Sequence, residues 1–247
     1  MKNLLIVIIL SLLSSISYSG LIDPSNSDKQ HISYAENFVY VGKIICLDPE
    51  TNKEKYFGSC VAIGDKVLLT AAHVFIDKND KYMVNINNKT ILIHNFIIHK
   101  DFDVSKQGSN DIAIINVNES IGLKWYPSLY TEKDESGKLC SLAGYGSTGN
   151  FLSGKKFSDG KRRAGSNKID KIENNTLVCS PSLKSDKTQL EFLIFHGDSG
   201  GGLFIGNELA GIHSFVSRND KNTHEYETES FHTRISDHIE WIDDYLK

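Results

Sequence analysis

The chain has no apolar run long enough to cross a bilayer, which takes about 20 residues. Its most apolar stretch, Leu4 to Leu13, lies just behind Lys2 and ahead of Ser17-Tyr18-Ser19. A cation, a short apolar core and a small-residue exit are the parts of a secretory leader. Residues 1–19 are therefore expected to be removed by cleavage after Ser19, leaving an exported chain with no stable membrane association. The chain also lacks strong charge of either sign. Its formal net charge is −4, which argues against a nucleic-acid-binding surface. No tandem repeat is visible. His94 and His99 are five residues apart, a poor spacing for zinc ligands, so no metal or cofactor is expected. Cysteine is sparse, with only Cys46, Cys60, Cys140 and Cys179. An even number in an exported chain favours disulfides, and four cysteines allow three pairings.

What the chain does have is strand signal. Runs rich in β-branched and aromatic residues fall at 38–47, 59–63, 66–70, 83–86, 90–98 and 112–117. A polar stretch over 118–137 reads as a crossover. A second set follows at 139–145, 167–172, 176–180, 203–205, 208–215 and 230–235. Short strands at regular spacing between Asn, Asp and Gly turns point to an all-β barrel or sandwich. The tail, 236–247, carries Ile239, Ile242 and Leu246 at helical spacing, with Ser236 or Asp237 as N-cap. Residues 146–166 read as a long mobile loop. Lys161-Arg162-Arg163 within it reads as solvated surface rather than a processing site.

The chemistry concentrates in three places. Gly197-Asp198-Ser199-Gly200-Gly201 sets a hydroxyl among glycines whose N–H groups can converge beside it. Thr70-Ala71-Ala72-His73 follows the apolar run Val67-Leu68-Leu69 and offers a base. Asp111 opens the run Ile112-Ala113-Ile114 and offers an acid, with Asp101 and Asp103 as fallbacks. A serine hydroxyl is a poor nucleophile unless a neutral imidazole takes its proton.

In the order His, Asp, Ser, these segments resemble the trypsin/chymotrypsin-like serine proteases. Gly211-Ile212-His213-Ser214-Phe215-Val216 is similar to the strand lining their substrate cleft. Phe231-His232-Thr233-Arg234-Ile235 is similar to their last strand. The segment from Phe57 to Gly64 resembles bacterial glutamyl endopeptidases, and Lys161 to Gly165 secreted bacterial relatives.

The resemblance implies an all-β fold of two six-stranded antiparallel β-barrels with a C-terminal α-helix and a cleft between the barrels. Its boundaries would be a leader at 1–19, a possible propeptide or tail at 20–31, a first barrel at 32–130 and a second at 131–247. It implies His73 as general base, Asp111 as its orienting acid, Ser199 as nucleophile, and the N–H groups of Gly197 and Ser199 as oxyanion hole. Asp198 would pair with a new N-terminal amine, for which cuts near Ile22 or Ile32 are the candidates. The favoured disulfides are Cys46–Cys60 and Cys140–Cys179; the bridge beside the histidine of animal relatives is absent, since Val74 follows His73.

Leu193, His196, His213, Ser214, Phe215, Val216 and His232 would bind substrate. Trypsin-like enzymes carry Asp at the Leu193 place, so cleavage after Lys or Arg is not expected. His213 suggests an acidic side chain before the scissile bond, and Val216 a small apolar one. The expected activity is hydrolysis of protein or peptide substrates by a secreted monomer. The rivals are a silent binding protein on the same fold and an esterase-type hydrolase, whose triad order would be Ser, Asp, His.

Overall fold

The computed structural model describes residues 20–246 except 78, 107, 151–155, 183–185 and 218–227; the expected leader lies outside the described residues. The chain enters through strand β1 (Leu21–Ile22) and helix α1 (Asp28–Ala35). Then come β2 (Val41–Leu47), β3 (Glu54–Ala62), β4 (Val67–Thr70), β5 (Lys81–Ile86), β6 (Lys89–Ile93), β7 (Asn95–Ile98) and β8 (Ala113–Asn116). These seven hydrogen-bond in the order β6-β5-β2-β3-β4-β8-β7. The two ends of that row, β6 and β7, are halves of one bent strand split at His94. The row therefore closes on itself as a six-stranded barrel, and closure removes free sheet edges.

The second half repeats the device. It contains β9 (Ser128–Leu129), β10 (Leu139–Gly144), β11 (Thr148–Asn150), β12 (Lys156–Phe157), β13 (Arg163–Lys168), β14 (Lys171–Glu173), β15 (Thr176–Cys179), β16 (Phe192–Leu193), β17 (Gly202–Ile205), β18 (Glu208–Ser217) and β19 (Glu229–Arg234). The main row runs β13-β10-β17-β18-β19-β15-β14. Its ends, β13 and β14, are again consecutive pieces of one strand, parted at Ile169-Asp170. The chymotrypsin-like pair of barrels is thus present. A 3-10 turn (Ile235–Asp237) leads into α2 (Ile239–Asp243), shorter than the expected tail helix, with Ile242 buried.

Alternation builds each interior. On β2, Ile44 and Cys46 are buried while Lys43, Ile45 and Leu47 are partly exposed, the period-two pattern of a strand with one covered face. Ile44, Leu68, Leu69, Ile114 and Ile115 are fully buried in the first barrel. Burying each such side chain contributes about 1.5–3 kcal/mol.

The structure bears on four expectations. Residues 20–31, expected as a possible propeptide or tail, pack on the body: β1 lies between β11 and β16, and α1 packs along β13. Residues 146–166 contain β11, β12 and the start of β13 rather than one long loop; 151–155 lie outside the described residues. Arg163 is buried, bridging Asp28 at 2.6 Å and Asp159 at 2.8 Å, so the basic run is not wholly solvated surface. The four cysteines are free thiols. Cys46 lies opposite Tyr56, and Cys60 opposite Gly42. Four residues of strand, about 13 Å, separate the two along the ladder, too far for a disulfide. Cys46 instead donates to Asp80 at 3.2 Å. Cys140 and Cys179 do meet, Sγ to Sγ at 3.9 Å, as neighbouring thiols.

Candidate active site

Three loop-borne groups converge between the barrels. His73 sits on the one-turn 3-10 helix Ala72–Phe75, directly after β4. Asp111 ends the loop before β8, and Ser199 lies between β16 and β17. The His73 Nδ1–H donates to Asp111 Oδ2 at 2.6 Å, and the Ser199 hydroxyl to His73 Nε2 at 2.8 Å. The backbone N–H of His73 donates to Asp111 Oδ1 at 2.9 Å, and the Ser214 hydroxyl to Oδ2 at 2.5 Å. Asp111 is 2 % exposed. Burial acts to raise its pKa, but the bonds and charge of His73 and the Ser214 hydroxyl outweigh that and hold it below the usual carboxylate range. Asp101 and Asp103, the fallback acids, are not in this constellation.

The serine loop is pinned from the opposite barrel. Ser59 on β3 donates its N–H to Ser199 O at 2.7 Å and its hydroxyl to Gly197 O at 2.9 Å. From the second barrel, the Thr233 hydroxyl reaches back to Asp111 O at 2.9 Å. Gly197 has φ +88°, and a Cβ there would fall 2.3 Å from the Phe57 ring, so only glycine fits. The N–H groups of Asp198, Gly200 and Gly201 are bonded to Phe195 O, His213 O and Asp198 O. Those of Gly197 and Ser199 have no acceptor among the described residues. Two uncommitted donors flanking a nucleophilic hydroxyl are what a developing oxyanion needs.

Asp198 is 1 % exposed. It accepts from Gly20 N–H at 3.1 Å, Phe195 N–H at 3.0 Å and Gly146 N–H at 2.8 Å. Burial raises its pKa to about 6, against the lowering by those three amides and the more distant Arg163 charge. The acid meets Gly20. Ile22 lies in β1 and Ile32 inside α1. Sequence reasoning missed Gly20, although it follows the expected leader cut. A Cβ at Gly20 would strike the Phe192 ring at 2.7 Å. Also missed were Ser59, Thr233 and the bond from Ser214 to Asp111; an isolated Ser or Thr in a strand carries no sequence signal for such a partner.

The expected substrate-binding residues divide. His196 is exposed and lines a cleft of about 400 Å³ with Phe57, His73, Val74, Gly197 and Ser199. Phe215 and Val216 border a second hollow, about 700 Å³, where Phe215 stacks on Phe231 at 4.4 Å. Leu193 is fully buried, packed with Leu21 and Phe195 rather than open to a ligand. The Ser214 hydroxyl is committed to Asp111. His213 and His232 are fully buried and share a bond between Nδ1 atoms of 2.8 Å. Burial pushes both pKa values down, that of His232 to about 3, and His232 further disfavours charge on His213. Burial thus disfavours the cationic form of His213 that the expected binding of an acidic side chain requires. Among the described residues no cluster could hold a metal.

Two closed barrels with a Ser-His-Asp constellation between them define the class of chymotrypsin-like folds. The family model described as Trypsin matches residues 45–242, and the chain belongs to that family. Trypsin theta of Drosophila erecta is 24 % identical over 237 residues, covering 85 % of this chain and 87 % of that protein. Among solved structures, neuropsin, a serine protease expressed in the limbic system of mouse brain, aligns with a TM-score of 0.64 at 21 % identity, covering 83 % of this chain and 94 % of that one. HL collagenase aligns with a TM-score of 0.64 at 17 % identity, covering 85 % and 94 %. At such identities the structural likeness concerns the fold.

Proposed function

We propose that the chain is an exported serine endopeptidase working through an acyl-enzyme. The observation that carries this reading is the continuous chain Ser199–His73–Asp111 beside two uncommitted N–H groups. Ser199 Oγ attacks the scissile carbonyl carbon while its proton passes to His73 Nε2. Asp111 keeps the other imidazole proton on Nδ1 and stabilises the imidazolium. The carbonyl oxygen takes up negative charge against the Gly197 and Ser199 N–H groups. His73 returns its proton to the departing amine, leaving an ester on Ser199. Water, activated by the same imidazole, then releases the acid and restores the hydroxyl.

The same reading places the mature N-terminus at Gly20. Cleavage after Ser19 turns the Gly20 N–H into an ammonium beside Asp198, which supplies the cation this buried acid lacks. One cut then serves both export and ordering of the serine loop, replacing the second cut near Ile22 or Ile32. For the residue before the scissile bond, the neutral His213–His232 pair supports a small uncharged side chain over an acidic one. Burying a carboxylate against an uncharged imidazole leaves it without a counter-ion.

A fluorophosphonate probe tests the first claim: parent protein labels, and Ser199→Ala does not. Absence of labelling in parent protein starting at Gly20 rejects the enzyme in favour of a silent binding protein. A peptide library separates protease from esterase, and dominant cleavage after Glu or Asp rejects the uncharged preference. N-terminal sequencing of active material, with a start other than Gly20, rejects the single cut.

A further inference from the structure

A cavity of about 500 Å³ lies apart from the catalytic cleft and shares no lining residue with it. Its walls come from both barrels. Lys43 on β2 stands opposite Asn85 on β5, the turn Asn87-Asn88 joins β5 to β6, which Lys89 opens, and Arg162 precedes β13. No lining residue is acidic, although the chain as a whole carries a formal charge of −4. Lys89 and Arg162 therefore stand together without an acid, against the trend of the molecule.

Their existing bonds leave donors over. Among the described residues Lys89 Nζ reaches only Ser120 O, at 2.7 Å. Arg162 uses Nε on Ala35 O and Nη1 on Val41 O and the Tyr145 hydroxyl. Its Nη2, with two N–H groups, has no acceptor among the described residues. Lys43 Nζ lies 3.7 Å from Glu54 and 4.4 Å from the centre of the Phe57 ring, both lining the catalytic cleft, so its ammonium is committed away from this hollow. The nearby Asp159 is committed to Arg163. The Asn88 side chain has no partner among the described residues. The hollow thus presents a guanidinium edge, the Lys89 ammonium and the Asn88 amide, with more polar than apolar wall.

We propose that this hollow is a binding site for an anionic saccharide. The Arg162 edge and Lys89 would take a sulfate or carboxylate group in charge-assisted hydrogen bonds. The Asn88 amide, able to donate and accept, with the Asn87 carbonyl oxygen and the Asn85 NH₂ left over from bonds to Ile121, Gly122 and Thr90, matches sugar hydroxyls. The volume lies in the range of small-ligand sites. The site stands independently of the proposed proteolysis.

Isothermal titration of the chain starting at Gly20 tests this with three probes: a fully sulfated heparin disaccharide, a neutral disaccharide and inorganic sulfate. The expected result is saturable binding of the sulfated sugar, weakening with added salt, and no binding of the neutral one. Lys89→Gln and Arg162→Gln should each weaken it by about tenfold, roughly the loss of one charge-assisted contact. Lys171→Gln, in the other hollow, should leave it unchanged. Arg162 also holds two backbone carbonyls, so Lys89→Gln decides the matter if the Arg162 variant fails to fold. The proposal is overturned by no saturable binding at low salt, or by binding that ignores Lys89→Gln. Inorganic sulfate binding as tightly as the disaccharide would overturn the saccharide and leave a plain anion hole.

Discussion

Asp111 and Asp198 are two aspartates buried to nearly the same depth, on either side of one serine, and their carboxylates behave in opposite ways. Asp111 is held below the ordinary carboxylate range, and Asp198 is pushed up to about 6. Depth cannot explain the difference, since they are 2 % and 1 % exposed. Nor can the number of bonds, since each accepts three. The difference lies in the partners. Asp111 faces an imidazole able to become a cation, while Asp198 faces only neutral amides. A buried charge is tolerated when something of opposite sign answers it. By that rule Asp111 is complete as it stands, and Asp198 is complete only when Gly20 becomes a free amine.

The largest expected effect comes from removing the charge on the answered side. Asp111→Asn should fold, because the amide fills the same space, yet lose about 10⁴-fold in kcat, the scale seen when the tautomer-holding acid of such a site is amidated. Steady-state hydrolysis at neutral pH measures it. If Asp103→Asn suffers that loss and Asp111→Asn does not, the acid has been misassigned.

Next is the same substitution on the other side. Asp198→Asn sets an NH₂ against amides that already donate, so the loop bearing Gly197 should lose its order. Activity should fall by about 10²–10³-fold, the cost of losing an oxyanion donor. Unlike Asp111→Asn, it should also lower the melting temperature. An Asp198→Asn enzyme as active and stable as its parent would break the comparison at its root.

Much of this was legible in the sequence, for uneven reasons. His73, Asp111 and Ser199 announced themselves because each sits beside a strand whose apolar run and flanking small residues fix its place. Barrel closure was not legible, because it depends on bends at His94 and at Ile169-Asp170 that leave no mark stronger than an ordinary turn. Cys46 and Cys60 were misread as a bridge because neighbouring strands do not reveal their register. His213 suggested an acidic substrate side chain because a sequence shows the residue type and not its depth. Gly20 was overlooked because its role comes from an amide brought across 178 positions to Asp198.

A third test compares a chain with a free Gly20 amine with one acetylated there. In the acetylated form the folded pKa of Asp198 is raised to about 6 from 3.8. The unfolded chain then gives up its proton first as pH rises. Stability should fall between about pH 4 and about pH 6 and stay low above, by on the order of 3 kcal/mol. The free amine should abolish that fall by answering the charge. Urea unfolding across this range reads the difference. Matching curves for the two forms would mean that Gly20 does not complete the site.

The smallest effect concerns Ser214→Ala, which makes Asp111 slightly more like Asp198. The hydroxyl is one of two hydrogen bonds on Oδ2, and the other, from His73, remains. A hydrogen bond to a charged group contributes about 1.5–3 kcal/mol, and water reaching the vacated space would lessen the loss, so about 1.5 kcal/mol is expected. The sign with pH is opposite to that of Asp198. A carboxylate whose folded pKa is lowered stabilises the fold above its unfolded value of 3.8 and loses that contribution as pH falls through the folded pKa. The variant should therefore be less stable than its parent at neutral pH, and the two should converge in acid, where Asp111 is protonated in both. Ser214→Thr keeps the hydroxyl and should restore most of the loss. A stability gap that persists unchanged into acid would assign Ser214 to packing and remove it from the set of groups that answer the charge on Asp111.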